Sequence, residues 1–362
     1  MDPSSDQPTG LRHTPALDGL RGLAIVLVMW SHFVTVGGLV DDSNAGFRLL
    51  RGGFVGVDLF FVLSGFLITG ILLDAPKTTG SYFRVFYLRR AVRIFPLYYA
   101  ILIGVFLTRP AGPDSPAWYW LFASNLGATL KSDWLVSPKG VSLSHFWSLA
   151  VEEQFYLVWP LLVRFLNRRS LEKTCMGLLV IAPVIHFTLH FSGNPVGAYL
   201  FTGTRLNTLA AGALLAIVFR DRERWRIWMS WAPQVGLAAA AISVLGLIFP
   251  VQISLVPFAP LLWGALLMLV MQPLSRISQV FSGRILVAFG KYSYGLYLLH
   301  YLFDPWLKDV LYPKWIVGIA GNGGASVALF MIVATILTFS AALLSWNLLE
   351  KPFLSLKRHF RY

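Results

Sequence analysis

The stretch that decides the fold is LDGLRGLAIVLVMWSHFVTVGG at residues 17–38, in which nearly every residue is apolar or small. At about 1.5 Å per residue, a helix of this length crosses the roughly 30 Å hydrocarbon core of a bilayer. The stretch nevertheless contains Asp18, Arg21 and His32. Ionisable groups within a membrane span are costly and usually face the protein interior or a wet cavity, so they indicate a functional site.

Arg21 and His32 share one stripe of this predicted helix. They are eleven positions apart in the sequence. At about 100° per residue, this spacing returns to within roughly 20° of the same face and separates the two residues by about 16 Å along the axis. The stripe therefore presents a permanent cation at one depth and a titratable imidazole at another. It suits a site that binds an anionic molecule near one membrane face and performs proton chemistry deeper in.

The composition indicates a membrane protein throughout. Hydrophobic residues make up 56% of the chain and charged residues 13%, with a mean hydropathy of +0.64. This leaves too little polar surface for a soluble globule, so an all-α, polytopic membrane protein is predicted. The shorter apolar stretch at 118–130 is predicted to be interfacial or re-entrant. Ten runs of suitable length predict membrane-spanning helices near 17–38, 53–74, 84–107, 144–166, 174–191, 199–219, 231–249, 255–272, 285–304 and 325–347.

The distribution of cations predicts the orientation. With the N-terminus placed inside, 20 of the 30 Lys and Arg residues fall in inner segments and 7 in outer segments, which is a positive-inside pattern. Both termini are therefore predicted to be cytoplasmic, and the net charge of +13 is interpreted as topology rather than as nucleic-acid binding.

One transmembrane domain is predicted over residues 1–362. It includes a short cytoplasmic segment at 1–16 and a basic cytoplasmic tail at 354–362. No small-residue cleavage site follows the first apolar run, so this run is expected to be retained rather than removed as a signal peptide. The single cysteine, Cys175, excludes an intramolecular disulfide and a cysteine-based metal cluster.

Polar residues inside the other predicted spans suggest where the site lies. His145 begins the fourth span. If the helices bring them together, one polar group is predicted at comparable depth from His32, Asp58, Glu152, Arg205 and His300. A second group is predicted on the cytoplasmic side, where Arg90 and Arg93 share a helical face at a depth similar to that of Arg21. Planar guanidinium groups suit phosphates.

Six motifs in order give the chain a family resemblance. They are the Arg21-x10-His32 pair, GFVGVDLFFVLSGFLI, RRAVRIFPLYY, FWSLAVEEQFYLVWP, YSYGLYLLHY and the terminal EKPF. From Leu17 to Phe353 the chain resembles the membrane acyltransferase-3 family, which acylates cell-surface glycans and some other hydroxyl-bearing molecules. The resemblance implies ten spanning helices and an acyl-CoA donor, usually acetyl-CoA. Some members carry an additional hydrolase-like domain, which this chain is expected to lack.

Site residues carry over by motif. Arg21 and His32 match the family's Arg-or-Lys-x10-His pair, Arg90 and Arg93 its Arg-x-x-Arg, and Glu152 the glutamate of its SLxxE segment. The resemblance thus implies a multi-pass O-acyltransferase of the bacterial cytoplasmic (inner) membrane. Its acceptor would be a glycan such as O-antigen or exopolysaccharide, with a lipid-linked sugar or a small secondary metabolite as the alternative. No metal is expected, and the oligomeric state stays open, with a homodimer as one option.

The predicted mechanism assigns each residue a role. Acyl-CoA enters from the cytoplasm with its phosphates near Arg21, Arg90 and Arg93, and His32 acts as the general base toward an acceptor hydroxyl. Glu152 is expected to orient His32 and stabilise its charged form. A covalent acyl-histidine and direct transfer both stay open. The candidates to line the site are Asp58, His145, Arg205 and His300.

Each of these residues also has a purely structural interpretation. Arg21 could reach the inner headgroups as an interfacial cation, and Arg90 and Arg93 could be topological anchors. His32 could be a neutral imidazole bonded to a neighbouring helix, and Glu152 a structural acid. The main alternative function is a proton-coupled transporter that uses the buried ionisable residues as a relay. A non-catalytic membrane scaffold is the third hypothesis.

Overall fold

A computed structural model describes residues 14–36, 45–77, 80–109, 112, 114–249 and 256–360. Every regular element within these ranges is helical, so the predicted all-α fold is confirmed. Residues 1–13 of the predicted N-terminal segment and the last two residues of the predicted tail lie outside the described part of the chain.

The main helices are numbered along the chain. They are α1 (Pro15–Phe33), α2 (Gly56–Asp74), α3 (Tyr82–Thr108), α4 (Phe146–Phe165), α5 (Arg168–Phe191), α6 (Thr202–Val218), α7 (Arg222–Ile248), α8 (Ala259–Val270), α9 (Arg284–Lys291), α10 (Ser293–His300) and α11 (Gly324–Ser345). Short helices lie at Ala45–Arg51, Ala117–Trp120, Ser124–Lys131, Pro195–Leu200, Arg276–Phe281, Asp304–Trp306, Val317–Ala320 and Lys351–Ser355. Turns of 3₁₀ helix occupy Gly52–Val55, Val256–Phe258 and Leu356–His359, and π-helical turns occupy Leu307–Ile316 and Trp346–Glu350.

Every predicted span contains a helix, but the helices differ in their capacity to cross a membrane. Within the described residues, seven helical segments are long and apolar enough to do so. The other three predicted spans fall short for separate reasons. The sequence of α4 includes Glu152, Glu153 and Gln154, which lower its hydropathy, α8 has only 12 residues, and the span near 285–304 divides into α9 and α10 at Tyr292. The count of ten spans therefore stays a prediction.

The stretch at 118–130 does not cross the membrane as one helix. It forms parts of the two short helices Ala117–Trp120 and Ser124–Lys131. Between them, Phe122 adopts a positive φ of 50°, which ends the first helix because L side chains are disfavoured in this region. Both helices are too short to span a bilayer, as the sequence predicts.

Close glycine contacts hold the central helices together. A Cβ atom added to Gly212 of α6 would lie 1.9 Å from the carbonyl oxygen of Val62 in α2, and one added to Gly22 of α1 would lie 2.0 Å from that of Leu286 in α9. Small residues allow helix backbones to approach this closely in membranes. The helices α1, α2 and α6 therefore form a tightly packed interior, whereas α7 buries only Ala232 and Ala239 and presents its remaining apolar surface outward.

Candidate functional site

Three guanidinium groups meet at one small cavity. Arg21 of α1 and Arg90 and Arg93 of α3 line a volume of about 100 Å³, which we call the arginine cavity. The two α3 residues face the cavity together because positions three apart share a helix face. Arg21 donates a hydrogen bond of 2.9 Å to the carboxylate of Asp18, and the Arg90 guanidinium carbon lies 5.6 Å from the centroid of the Tyr156 ring.

A larger cavity continues from the arginine cavity toward the N-terminal end of α1. This vestibule, of about 420 Å³, shares Arg21, Arg93 and Tyr294 with the arginine cavity and adds Lys291 and Glu350. The Lys291 ammonium nitrogen lies 5.0 Å from the centroid of the Tyr292 ring. Four cations and three acids line the two cavities, and the three guanidinium groups lie together in the arginine cavity, where Glu152 is the one acid among the lining residues of the described chain. Such an arrangement can hold a polyanion.

Glu152 lies in the arginine cavity. Its carboxylate accepts hydrogen bonds from the hydroxyls of Ser64 (2.8 Å) and Tyr156 (3.0 Å). This placement corrects the prediction that Glu152 orients His32. The physical reason is depth, because Glu152 lies two helical turns below His145 along α4, or roughly 10 Å. A direct role of Glu152 in the reaction remains a prediction.

Three histidines lie together at the other end of α1. His32 and His145 line a cavity of about 390 Å³, the histidine cavity, beside Tyr301. The Nδ1 atom of His32 lies 2.9 Å from Nε2 of His300. The ring of Tyr301 stacks on that of His32 with centroids 4.2 Å apart, and the rings of His145 and His300 are 5.3 Å apart.

The hydrogen bonds determine the tautomers of the neutral rings. His300 Nδ1 lies 2.7 Å from the carbonyl oxygen of Tyr297, and a carbonyl can only accept, so Nδ1 carries the proton and Nε2 accepts. His32 must then donate from Nδ1, which leaves a lone pair on its Nε2. His300 thus holds His32 in the tautomer that a general base requires.

The histidine and arginine cavities meet at Tyr297 and Val57, which line both. The Tyr297 hydroxyl makes a short hydrogen bond with the hydroxyl of Ser148 and donates to the carbonyl oxygen of His145 at 3.0 Å. The three cavities therefore adjoin one another, and Tyr297 lies between the arginine cavity and the histidine cavity.

Asp58 and Arg205 form a buried ion pair behind the wall of the histidine cavity. Their side chains are 3.0 Å apart and nearly inaccessible to solvent. The guanidinium carbon lies 4.2 Å from the ring centroid of Tyr199 and 5.2 Å from that of Trp147, and Nε donates to the Tyr199 carbonyl. The pair therefore supports two aromatic residues that line the cavity.

The predicted group of five ionisable residues is thus distributed over three places. His32 and His300 pair in one cavity, Asp58 and Arg205 pair behind its wall, and Glu152 lies with the arginines. Over the part of the chain that the structure describes, no group of three or more His, Cys, Asp or Glu side chains is arranged to hold a metal ion.

Sequence reasoning missed the aromatic residues of the site. Trp134, Trp147, Tyr199, Tyr297 and Tyr301 line the histidine cavity, whereas the residues predicted from the sequence to form the site are all ionisable. For two of them a signal existed, because Tyr297 and Tyr301 flank His300 in the motif YSYGLYLLHY, within one helical turn of it.

Comparison with known proteins assigns the family. A family model described as "Acyltransferase domain" (Acyl_transf_3) matches residues 14–347. The chain therefore belongs to the acyltransferase-3 family, as its motifs predict. The predicted enzyme class, an acyltransferase, is confirmed at the level of the family, which favours this prediction over the transporter and scaffold alternatives. No solved structure matches the chain.

Three relatives show how far the similarity extends. The peptidoglycan O-acetyltransferase OatA of Listeria monocytogenes is 33% identical over 80% of this chain and 49% of its own length. The putative peptidoglycan O-acetyltransferase YrhL of Bacillus subtilis is 29% identical over 94% and 55%, respectively. The O-acetyltransferase OatA of Staphylococcus aureus is 29% identical over 80% and 50%. The chain thus spans about half the length of these relatives.

Proposed function

We propose that this chain is a membrane O-acyltransferase that moves an acyl group, in the first instance acetyl, from acyl-CoA to a hydroxyl of a glycan. The observation that carries the proposal is the hydrogen-bonded pair of His32 and His300, because it leaves a lone pair on His32 Nε2 in a cavity connected to three arginines. A base beside a polyanion site is what a CoA-dependent transferase requires.

The arginines provide the donor site. CoA combines phosphate groups with a long, flexible arm that ends in the thioester. Arg21, Arg90 and Arg93 are suited to the phosphates because guanidinium groups bind them in a bidentate manner. The vestibule admits the nucleotide end, and the passage at Tyr297 leads the arm toward His32. The positive-inside pattern places the vestibule at the cytoplasm.

His32 provides the acid–base chemistry. Its Nε2 takes the proton from the acceptor hydroxyl as the hydroxyl oxygen attacks the thioester carbonyl, the carbon–sulfur bond breaks, and the thiolate leaves. The Nδ1–H bond to His300 persists while His32 carries the positive charge, so the hydrogen bond becomes charge-assisted. Attack by Nε2 itself would give an acyl-histidine, which ping-pong kinetics distinguish from direct transfer.

The names of the relatives support the proposed acceptor class, and the apolar helices support the proposed location. Their names describe peptidoglycan O-acetyltransferases, so a glycan of the cell surface is the proposed acceptor class. The apolar helices show the character of a membrane protein, and we place the chain in the bacterial cytoplasmic membrane. The histidine cavity then faces the outer side, where surface glycans are presented.

Labelled acetyl-CoA binding to the purified full chain tests the donor site. Arg90→Ala and Arg93→Ala should weaken binding, with only partial rescue by Lys because an ammonium lacks the planar fork. Arg84→Ala is the matched control, since Arg84 is exposed on the same helix. Arg168, another arginine outside the three cavities, is less suitable as a control, because its side chain donates a hydrogen bond to the carbonyl oxygen of Ile217 and its removal would break this contact. Equal affinity in all of these variants would refute the donor site.

A further inference from the structure

The histidine cavity has aromatic walls that proton transfer does not require. Phe54, Trp147 and Tyr199 form one side, with the Phe54 and Tyr199 rings 5.9 Å apart and the Trp147 and Tyr199 rings 5.2 Å apart. Trp134 also lines the cavity, and 40% of its surface is exposed. Concave sites with apolar walls and a few placed polar groups bind small organic ligands.

His145 lines this cavity and has one ring nitrogen without a hydrogen-bond partner among the described residues. Its Nε2 lies 3.2 Å from the carbonyl oxygen of Leu298, so Nε2 donates and Nδ1 carries the lone pair. Nδ1 is buried without a hydrogen-bond partner among the described residues, and only 3% of His145 is exposed. Because buried polar atoms are nearly always paired, this nitrogen is available to accept a hydrogen bond from a bound molecule.

The segment that carries Trp134 is held in place by polar contacts. The Asp114 carboxylate accepts hydrogen bonds from the backbone N–H of Val136 (2.6 Å) and from the Lys131 ammonium (2.9 Å). These two donors hold the pKa of the Asp114 carboxyl below its usual range, so the contacts persist at neutral pH. The segment lies between α3 and α4, and Trp134 lines the same cavity as His32.

We propose that the histidine cavity binds one hexopyranose ring of the acceptor. Trp134 stacks on a face of the ring, and His145 Nδ1 accepts a hydrogen bond from a hydroxyl near the one that is acylated. The C–H bonds of a pyranose face complement the negative face of an aromatic ring. This inference rests on the proposed function, and it assigns Trp134 and His145 to the choice of acceptor. A simple alcohol offers neither a flat face nor a second hydroxyl.

Acceptor selectivity of the purified full chain in lipid nanodiscs tests this inference. Acetyl transfer from acetyl-CoA is measured to chitotetraose, to maltotetraose and to n-butanol, and the readout is the ratio of kcat/KM for the better saccharide to that for n-butanol. Trp134→Ala should lower this ratio roughly 3- to 10-fold, and His145→Phe by a similar factor because it removes the acceptor atom. Trp134→Phe keeps a ring and should restore most of the ratio.

Trp315→Ala is the matched control because Trp315 is 65% exposed and does not line the histidine cavity. It should leave the ratio at the wild-type value. A wild-type ratio that favours n-butanol, or an unchanged ratio in both Trp134→Ala and His145→Phe, would overturn the inference. Wild-type protein that neither transfers acetyl nor hydrolyses acetyl-CoA would instead refute the proposed function.

Discussion

Replacing His300 tests how the proposed base is held. His300→Phe removes the Nε2 atom that lies 2.9 Å from His32 Nδ1 but keeps an aromatic ring of similar shape in a fully buried position. His32 then loses the partner that determines its tautomer. His300→Gln is the conservative counterpart, since its side-chain oxygen can accept the same hydrogen bond.

The size of the effect follows from one hydrogen bond. When His32 takes the proton, its bond to His300 involves a charged donor, and such bonds contribute about 1.5–3 kcal/mol. Since about 1.36 kcal/mol corresponds to tenfold in rate, His300→Phe should lower kcat roughly 10- to 100-fold. His32→Ala removes the base itself and should cost typically about 10²–10⁴-fold. His300→Gln should fall between wild type and His300→Phe.

The assay follows release of the CoA thiol and of acetylated chitotetraose by each variant in nanodiscs. Elution on size exclusion verifies the fold, and His190→Phe is a matched control because His190 lies on α5, outside the three cavities. A His300→Phe enzyme with wild-type kcat would refute the tautomer argument. A His300→Gln enzyme that is slower than His300→Phe would also refute it, because the restored hydrogen-bond acceptor would then not support the reaction.

Three further predictions concern charge and packing. Glu152→Gln removes negative charge from the arginine cavity, so acetyl-CoA affinity in equilibrium binding should stay equal or rise; a loss as large as that of the arginine variants would contradict this. Gly212→Ala should destabilise the fold by about 1–3 kcal/mol in thermal unfolding, since the new Cβ meets backbone. Gly177→Ala, with open space around it, should not. Arg205→Met should lower the free energy of unfolding by about 3–5 kcal/mol because it leaves the buried carboxylate of Asp58 without its partner. Adding Asp58→Asn should recover part of this loss.

Much of the fold was predictable from the sequence because hydropathy and helix period are local properties. The stripe of Arg21 and His32, and the pair of Arg90 and Arg93, follow from the spacing within single helices. The structure places these residues around connected cavities, as the stripe suggests. The depth of each of these residues along its helix could therefore be predicted from the sequence, at about 1.5 Å per residue.

The partner of His32 was not predictable, because it depends on how different helices rotate and cross. The sequence suggested Glu152 because acids commonly orient histidines, yet the helix break at Tyr292 brings α10 and its His300 against the end of α1. Likewise, an aromatic residue at a membrane interface and one that lines a cavity have the same local sequence. Trp134 lines the cavity from the loop between α3 and α4, and a hydrogen bond between two residues of this loop, Asp114 and Val136, holds it in place.

The position of Tyr297 also matters for the bilayer as an electrical insulator. A potential of 100 mV is worth about 2.3 kcal/mol for each elementary charge that crosses, and a continuous column of water past arginines and histidines would dissipate it. The Tyr297 phenol is hydrogen-bonded to Ser148 and to the carbonyl oxygen of His145, and it lies where the arginine cavity and the histidine cavity meet. Because this side chain narrows the route between the two cavities, it limits the column of water through which ions could cross. The proposed transfer from a donor on one side to an acceptor on the other is therefore compatible with a bilayer that keeps its potential.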